Sequence, residues 1–169
     1  MRSGKALAMG ALMAALAPAA GFAVAPGAAA PEVSAPQLTE PSRRLDLQGL
    51  RGSVVYVDFW ASWCVPCRQS MPRLDALYRK YQDRGFRVVG VNKDVTTADA
   101  LRFLQRVNVS FPLVADGDDA VARAFDVKAM PSGYLVDRKG VVRFVHRGFT
   151  AQTAAELPGE IEKLLGDRS

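Results

Sequence analysis

At 169 residues, 49% of them hydrophobic and only two of them cysteine, the chain is long enough to build one apolar core without a disulfide framework. Its net charge of +5 falls to +3 once Arg2 and Lys5, the only charges in residues 1–30, are set aside. With no long basic run, that modest excess gives no case for nucleic acid as a partner. Two cysteines and one histidine also fall short of the four thiolate or imidazole ligands a structural zinc ion needs within one chain.

The N-terminus carries Arg2 and Lys5, an apolar run from Ala6 to Ala17, then Pro18 and small residues. This pattern reads as an export signal, or as a retained N-terminal membrane anchor, over residues 1–30. Cleavage motifs are offered at Ala17-Pro18-Ala19, Ala23-Val24-Ala25 and Ala28-Ala29-Ala30, the last two each followed by proline. Export implies the bacterial periplasm or the extracytoplasmic face of a membrane. Residues 31–44, rich in Pro, Ser and Glu, read as a linker or irregular lead-in, with a domain over 45–169.

Val54 to Phe59 is β-branched and aromatic, as in a central strand covered on both faces, and Asp58 is its one charged residue. Beyond Cys67, Met71, Leu74, Leu77 or Tyr78, and Tyr81 recur at helical spacing, with Pro72 inside and Gly85 at the close. A second buried strand is expected at Val88 to Val91. Further on, the pattern predicts a helix over Ala98 to Val107, a strand over Phe111 to Ala115 and a helix over Ala120 to Phe125. A hairpin of Tyr134 to Val136 and Val141 to His146 should turn at Arg138-Lys139-Gly140. A last helix between Thr153 and Leu165 should start on a Thr153/Glu156 capping box, or near Pro158.

Both cysteines lie in Trp63-Cys64-Val65-Pro66-Cys67, straight after the first buried strand. Two residues between them close a small disulfide at a helix start, where unpaired amides favour a thiolate on the first sulfur. So short a loop constrains the unfolded chain little, which disfavours a purely structural bridge. Strand, helix and strand then form a βαβ unit with the dithiol at the strand's C-terminal end, where open α/β sheets place their sites.

Val57-Asp58-Phe59-Trp60-Ala61-Ser62-Trp63-Cys64-Val65-Pro66-Cys67-Arg68 resembles the active-site strand and helix start of the thioredoxin superfamily. Met130-Pro131-Ser132-Gly133-Tyr134-Leu135-Val136-Asp137 resembles its second hallmark, the cis-proline loop and following strand. Extra chain between Asp94 and Met130, the export pattern and the Asp-Arg-Lys-Gly turn resemble the TlpA-like branch, which includes ResA- and CcmG-type cytochrome-maturation proteins. The branch commonly has Glu where Ser70 stands and often Asn at Asp58. The lysine that neighbours the buried aspartate in thioredoxin would fall near Gly90.

The resemblance implies a thioredoxin-like three-layer α/β/α fold, with a central mixed β-sheet and a TlpA-type helix-strand insert. It also implies a thiol-disulfide oxidoreductase, reductive in direction, whose redox group is the Cys64-Cys67 pair and which needs no other cofactor. Its expected partners are protein disulfides and a membrane dithiol donor of the DsbD/CcdA type. Cys64, as the exposed thiol, would attack and Cys67 would resolve, while Asp58, its charged form disfavoured by burial, would take the proton of Cys67. Trp63 would rim the docking surface, Pro66 would remove an amide between the cysteines, and Met130 and Pro131 would present backbone to an extended substrate.

Two competing readings remain at this stage. A copper chaperone would use Cys64, Cys67 and His146 as soft and imidazole ligands. A thiol peroxidase would want a proline and a Thr or Ser ahead of an isolated cysteine, and Ala61-Ser62-Trp63-Cys64 lacks the proline. His146 otherwise reads as a strand or packing residue, and Trp60 as core.

Overall fold

A computed structural model describes residues 24–167 of the chain. Its centre is β3 (Val54–Trp60), seven residues all buried, as the unbroken β-branched and aromatic run requires. On one side β3 pairs in parallel with β4 (Phe86–Asn92), and β4 pairs in parallel with β5 (Leu113–Ala115). On the other side β3 pairs antiparallel with β6 (Ser132–Val136), which turns back into β7 (Val142–Arg147). The sheet order is therefore β5-β4-β3-β6-β7, a mixed sheet built around one βαβ unit and one hairpin. The hairpin turn is held by Asp137, whose side chain accepts from the amides of Lys139 and Val141, with Gly140 at φ 81°.

Helices α1 (Val65–Tyr81), α2 (Thr97–Leu104) and α4 (Ala151–Gly166) contribute to one core cluster. It joins Cys67, Met71 and Leu74 of α1, Phe103 of α2 and Leu157 and Ile161 of α4 to Tyr56 and Trp60 of β3. The short α3 (Ala120–Ala124) packs on the opposite cluster, with Val55, Val57 and Phe59. Alternation along β3 thus divides the molecule into two layers of different character. Pro72 lies inside α1, and Gly85 follows the helix at φ 91°.

Residues 31–44 depart from the expected irregular lead-in. Ser34–Pro36 (β1) pairs antiparallel with Arg44–Asp46 (β2), and Ala35 and Leu38 are buried. The reason is the two open sheet edges. The Gly27 and Ala30 amides donate to Val142 O and Gly140 O at 2.8 Å, beside β7, while the Leu38 amide donates to Leu113 O at 2.8 Å, beside β5. One N-terminal segment covers both edges, which would otherwise expose unpaired backbone groups. The domain accordingly includes residues 24–44, and Ala28 to Ala30 belong to the sheet's flank. The basic and apolar residues of the proposed export signal lie in residues 1–23, outside the described residues.

The last helix also begins earlier than expected. Thr150, not Thr153, is its N-cap, accepting the Thr153 amide at 3.2 Å. Pro158 is accommodated inside α4.

Candidate active site

The turn that follows β3 places Cys64 at the N-cap of α1, Val65 and Pro66 in its first positions and Cys67 one turn on. The Cys67 amide donates to Cys64 Sγ at 3.3 Å, so a helix N-terminus points at that sulfur and favours negative charge there. Pro66 carries no amide at the second position, where none is needed within the helix. Cys64 and Cys67 are joined as a disulfide, with S–S 2.06 Å.

One expectation needs correction, because Cys64 is not an exposed residue. It is 4% accessible and Cys67 0%. It remains the more accessible of the two only by a narrow margin. What is exposed is its surroundings. Trp63 and Val65, on either side of Cys64, are 65% and 63% accessible, and Pro66 is exposed.

Asp94, which the sequence reading did not single out, fixes this loop. Its carboxylate accepts from the Ser62 amide (3.0 and 3.2 Å), from Ser62 Oγ (2.9 Å) and from Asn92 Nδ2 (2.8 Å). The end of β4 is thereby tied to the residues just ahead of Cys64. Val95, 90% accessible, follows directly, so three of the four exposed large apolar residues among the described residues belong to this region. Two polar residues breaking an apolar strand at its C-terminal end were the available signal.

Asp58 lies on the face of β3 that Tyr56 and Trp60 share with both cysteines. It is 1% accessible, its Oδ2 has no hydrogen-bond partner, and burial pushes its pKa from an ordinary 3.8 up to about 8. No basic group stands opposite. Its neighbours in register are Gly90 on β4 and Gly133 on β6. A Cβ at Gly90 would meet Leu113 Cδ2 at 2.5 Å, Trp60 Nε1 at 3.1 Å and Phe111 Cε2 at 3.2 Å, so a methyl group enters only if Leu113 turns aside and a lysine side chain would be crowded.

The Met130-Pro131 peptide is cis, Pro131 is buried, and Met130 is half-buried against the cluster that contains the cysteines. Pro131 O accepts from the Gly148 amide at 2.7 Å, and Ser132 Oγ donates to Ala129 O at 2.7 Å, fixing the loop at both ends. Ser70, buried in α1, donates to Cys67 O at 3.2 Å. Trp60 is fully buried, with its ring 5.3 Å from that of Phe103.

His146 is not grouped with the cysteines. Its Nδ1 is 3.4 Å from Tyr56 Oη, and its Nε2 is 3.0 Å from Glu160 Oε2. Among the described residues no three His, Cys, Asp or Glu side chains are arranged to hold a metal ion. Glu160, like Tyr56, escaped the sequence reading.

The Redoxin family profile matches residues 25–161. The thiol-disulfide oxidoreductase ResA of Geobacillus thermodenitrificans is 34% identical over 118 residues, covering 70% of this chain and 67% of that protein. ResA of Bacillus cereus is 29% identical over 122 residues, covering 72% and 69%. Among solved structures, a putative thiol:disulfide interchange protein DsbE from Chlorobium tepidum superposes with a TM-score of 0.80 at 40% identity, covering 85% of this chain and 99% of that one. A putative protein disulfide isomerase from Bacteroides thetaiotaomicron superposes at 0.78 and 26% identity, covering 85% and 92%. Profile, relatives and a cysteine pair seated at a helix N-terminus agree, and the chain belongs to the Redoxin family as a thioredoxin-fold thiol-disulfide oxidoreductase similar to ResA and DsbE.

Proposed function

We propose that the protein is an exported reductant of protein disulfides, recharged by a membrane dithiol donor. The observation that carries the dithiol exchange is Asp58, an unpaired buried acid on the cysteine face of β3 whose pKa is pushed to about 8, while the reductive direction rests on the resemblance to the TlpA-like branch. Such a group suits the step in which a buried Cys67 thiol must lose its proton before it can act.

In the reduced protein, the Cys64 thiolate attacks one sulfur of a substrate disulfide. The substrate's other sulfur leaves as a thiolate, and Cys64 carries the mixed disulfide. Cys67 gives its proton to Asp58, attacks Cys64 Sγ and displaces the second substrate thiolate. Two electrons have then passed to the substrate, and the Cys64–Cys67 disulfide remains for a donor dithiol to reduce. The Cys64–Cys67 pair is the only redox group this cycle uses.

Trp63, Val65 and Val95 give the mouth an apolar rim suited to unfolded or extended polypeptide, with Pro66, Met130 and Pro131 completing the docking surface. Export rests on the basic-then-apolar pattern of the N-terminus. The resemblance to the TlpA-like branch suggests a role in cytochrome c maturation, with apocytochrome c as a substrate to test.

The test is trapping together with potential. Cys64→Ser should abolish disulfide exchange, and Cys67→Ser should accumulate mixed disulfides visible on non-reducing gels; normal turnover by Cys67→Ser would refute the assignment of roles. Equilibration of the pair in graded dithiol buffers should give a potential near or below about −270 mV, whereas a value near about −120 mV would make the disulfide the active form and reverse the direction.

A further inference from the structure

Asp58 is sealed from water, so a proton taken from Cys67 stays on it until re-reduction unless a path leads it outward. The row it occupies across the sheet shows where that proton can go. In register across β3, β6 and β7 stand Asp58, Gly133 and His146. Gly133 leaves a vacancy in this row that the Tyr56 phenol fills: a Cβ on Gly133 would lie 1.9 Å from Tyr56 Oη. The hydroxyl therefore sits over the strand that separates Asp58 from His146, 3.4 Å from His146 Nδ1. Beyond the imidazole, Glu160 of α4 brings Oε2 to 3.0 Å from Nε2. The side chains of His146 and Glu160 are 10% and 15% accessible, so the row runs from a sealed carboxyl toward the surface.

Two further observations set this row apart from ordinary packing. Among the described residues only three buried side-chain polar atoms lack an aligned hydrogen bond: Asp58 Oδ2, Glu160 Oε2 and Trp60 Nε1. Two of them are the ends of this row, where native interiors rarely leave such atoms unpaired. The Tyr56 phenol is held well above its usual pKa by burial first, then by the charges of Asp58 and of Glu160, so both ends are felt at its oxygen. Tyr56 shares the face of Asp58 on β3, and its phenol leads on to His146 of β7 and Glu160 of α4, while the register neighbours of Asp58 on β4 and β6 are Gly90 and Gly133.

We propose that Tyr56, His146 and Glu160 form the proton route between Asp58 and solvent, with Tyr56 and His146 as positioning residues of the resolving step and Glu160 as its outlet. This rests on the reading of Asp58 as acceptor of the Cys67 proton. With the imidazole proton on Nε2, the transfer balances. The Asp58 carboxyl proton passes to Tyr56 Oη as the Tyr56 hydroxyl proton passes to His146 Nδ1. The Nε2 proton passes to Glu160, which exchanges with water. No electron moves, and the shifted imidazole proton is restored when the donor dithiol re-reduces the protein and Cys67 regains its proton by the reverse path.

The single histidine makes the test direct, because the full-length chain has one imidazole signal. Followed by NMR between about pH 5 and 10, that signal should carry an inflection near the Asp58 pKa of about 8, absent in Asp58→Asn and diminished in Tyr56→Phe. In single-turnover reduction of a disulfide-bonded peptide, Tyr56→Phe and Glu160→Gln should each slow resolution about tenfold and slow the first attack by Cys64 less. Tyr56→Phe keeps the ring over Gly133 and Glu160→Gln lies near the surface, so first-attack rates double as a check on folding. An imidazole titration identical in wild type and Asp58→Asn, or unaltered resolution in both other variants, overturns the route. If Asp58→Asn leaves resolution unchanged while the imidazole still senses residue 58, Asp58 is not the acceptor, and the route falls with that reading.

Discussion

The two faces of β3 are made from one strand and do opposite work. Val55, Val57 and Phe59 point into a layer where the rings of Phe59, Phe125 and Tyr134 lie 4.9 to 5.8 Å apart. The polar tip there is satisfied, since Tyr134 Oη donates to Phe125 O at 2.8 Å. Tyr56, Asp58 and Trp60 point the other way, toward the cysteines, and two of these three carry an unpaired buried atom. One face is closed and saturated, whereas the other keeps polar groups in reserve at a cost in stability, as functional sites do. Phe125→Ala should therefore be the most damaging change to the fold, about 3–5 kcal/mol in urea unfolding, with the exchange rate of the remaining folded protein unchanged. A large loss of exchange rate in the folded fraction would show that the two faces are not independent.

On the reactive face, the buried acid makes stability fall as pH rises. The Asp58 carboxyl has its pKa raised from 3.8 to about 8 in the folded protein, so below about pH 4 folded and unfolded chains are both protonated and the group is neutral in effect. As pH rises from about 4 toward 8 the unfolded chain ionises and the folded one does not, and stability drains away across that window. Above about 8 the loss is complete, with an upper bound of about 6 kcal/mol at 1.36 kcal/mol per unit. Asp58→Asn should thus leave stability at pH 4 little changed and raise it at pH 8 by about 2–3 kcal/mol, while slowing resolution. Denaturation midpoints at the two pH values measure it; equal shifts at both would mean that folding leaves the pKa of the acid where the unfolded chain has it.

How far the sequence could be read follows the same division. Val54 to Phe59, the helix after Cys67 and the Asp137 to Gly140 turn were legible because each rests on a local pattern: alternation, helical spacing or turn chemistry. The cysteine pair was legible because its spacing is its chemistry. The β1–β2 hairpin was not, because its order comes from two sheet edges remote in sequence, which no local composition announces. The start of α4 was misread because Thr150 and Thr153 both suit a cap, and only the backbone decides between them. Tyr56, His146 and Glu160 were invisible as a group for a like reason. They come from β3, β7 and α4, and only the register through Gly133 brings them together.

Asp58 is flanked in register by two glycines, and they differ in what they protect, which allows a finer division within the reactive face. At Gly133 a methyl group would strike Tyr56 Oη at 1.9 Å, and that oxygen is the end of a rigid ring with no rotamer freedom along its axis. Gly133→Ala should expel the phenol from the row, costing about 3 kcal/mol and moving the pH dependence of resolution with it. At Gly90 the nearest obstacle, 2.5 Å away, is Leu113 Cδ2, the far end of a flexible side chain that can turn aside. Gly90→Ala should cost only about 1 kcal/mol, less than Gly133→Ala, and leave the pH profile in place. Thermal unfolding ranks the pair and a pH–rate curve separates them. If Gly90→Ala shifts the curve as Gly133→Ala does, then the β4 side of Asp58, with its unpaired Trp60 Nε1, takes part in the proton chemistry, and Tyr56 is not its sole neighbour of consequence.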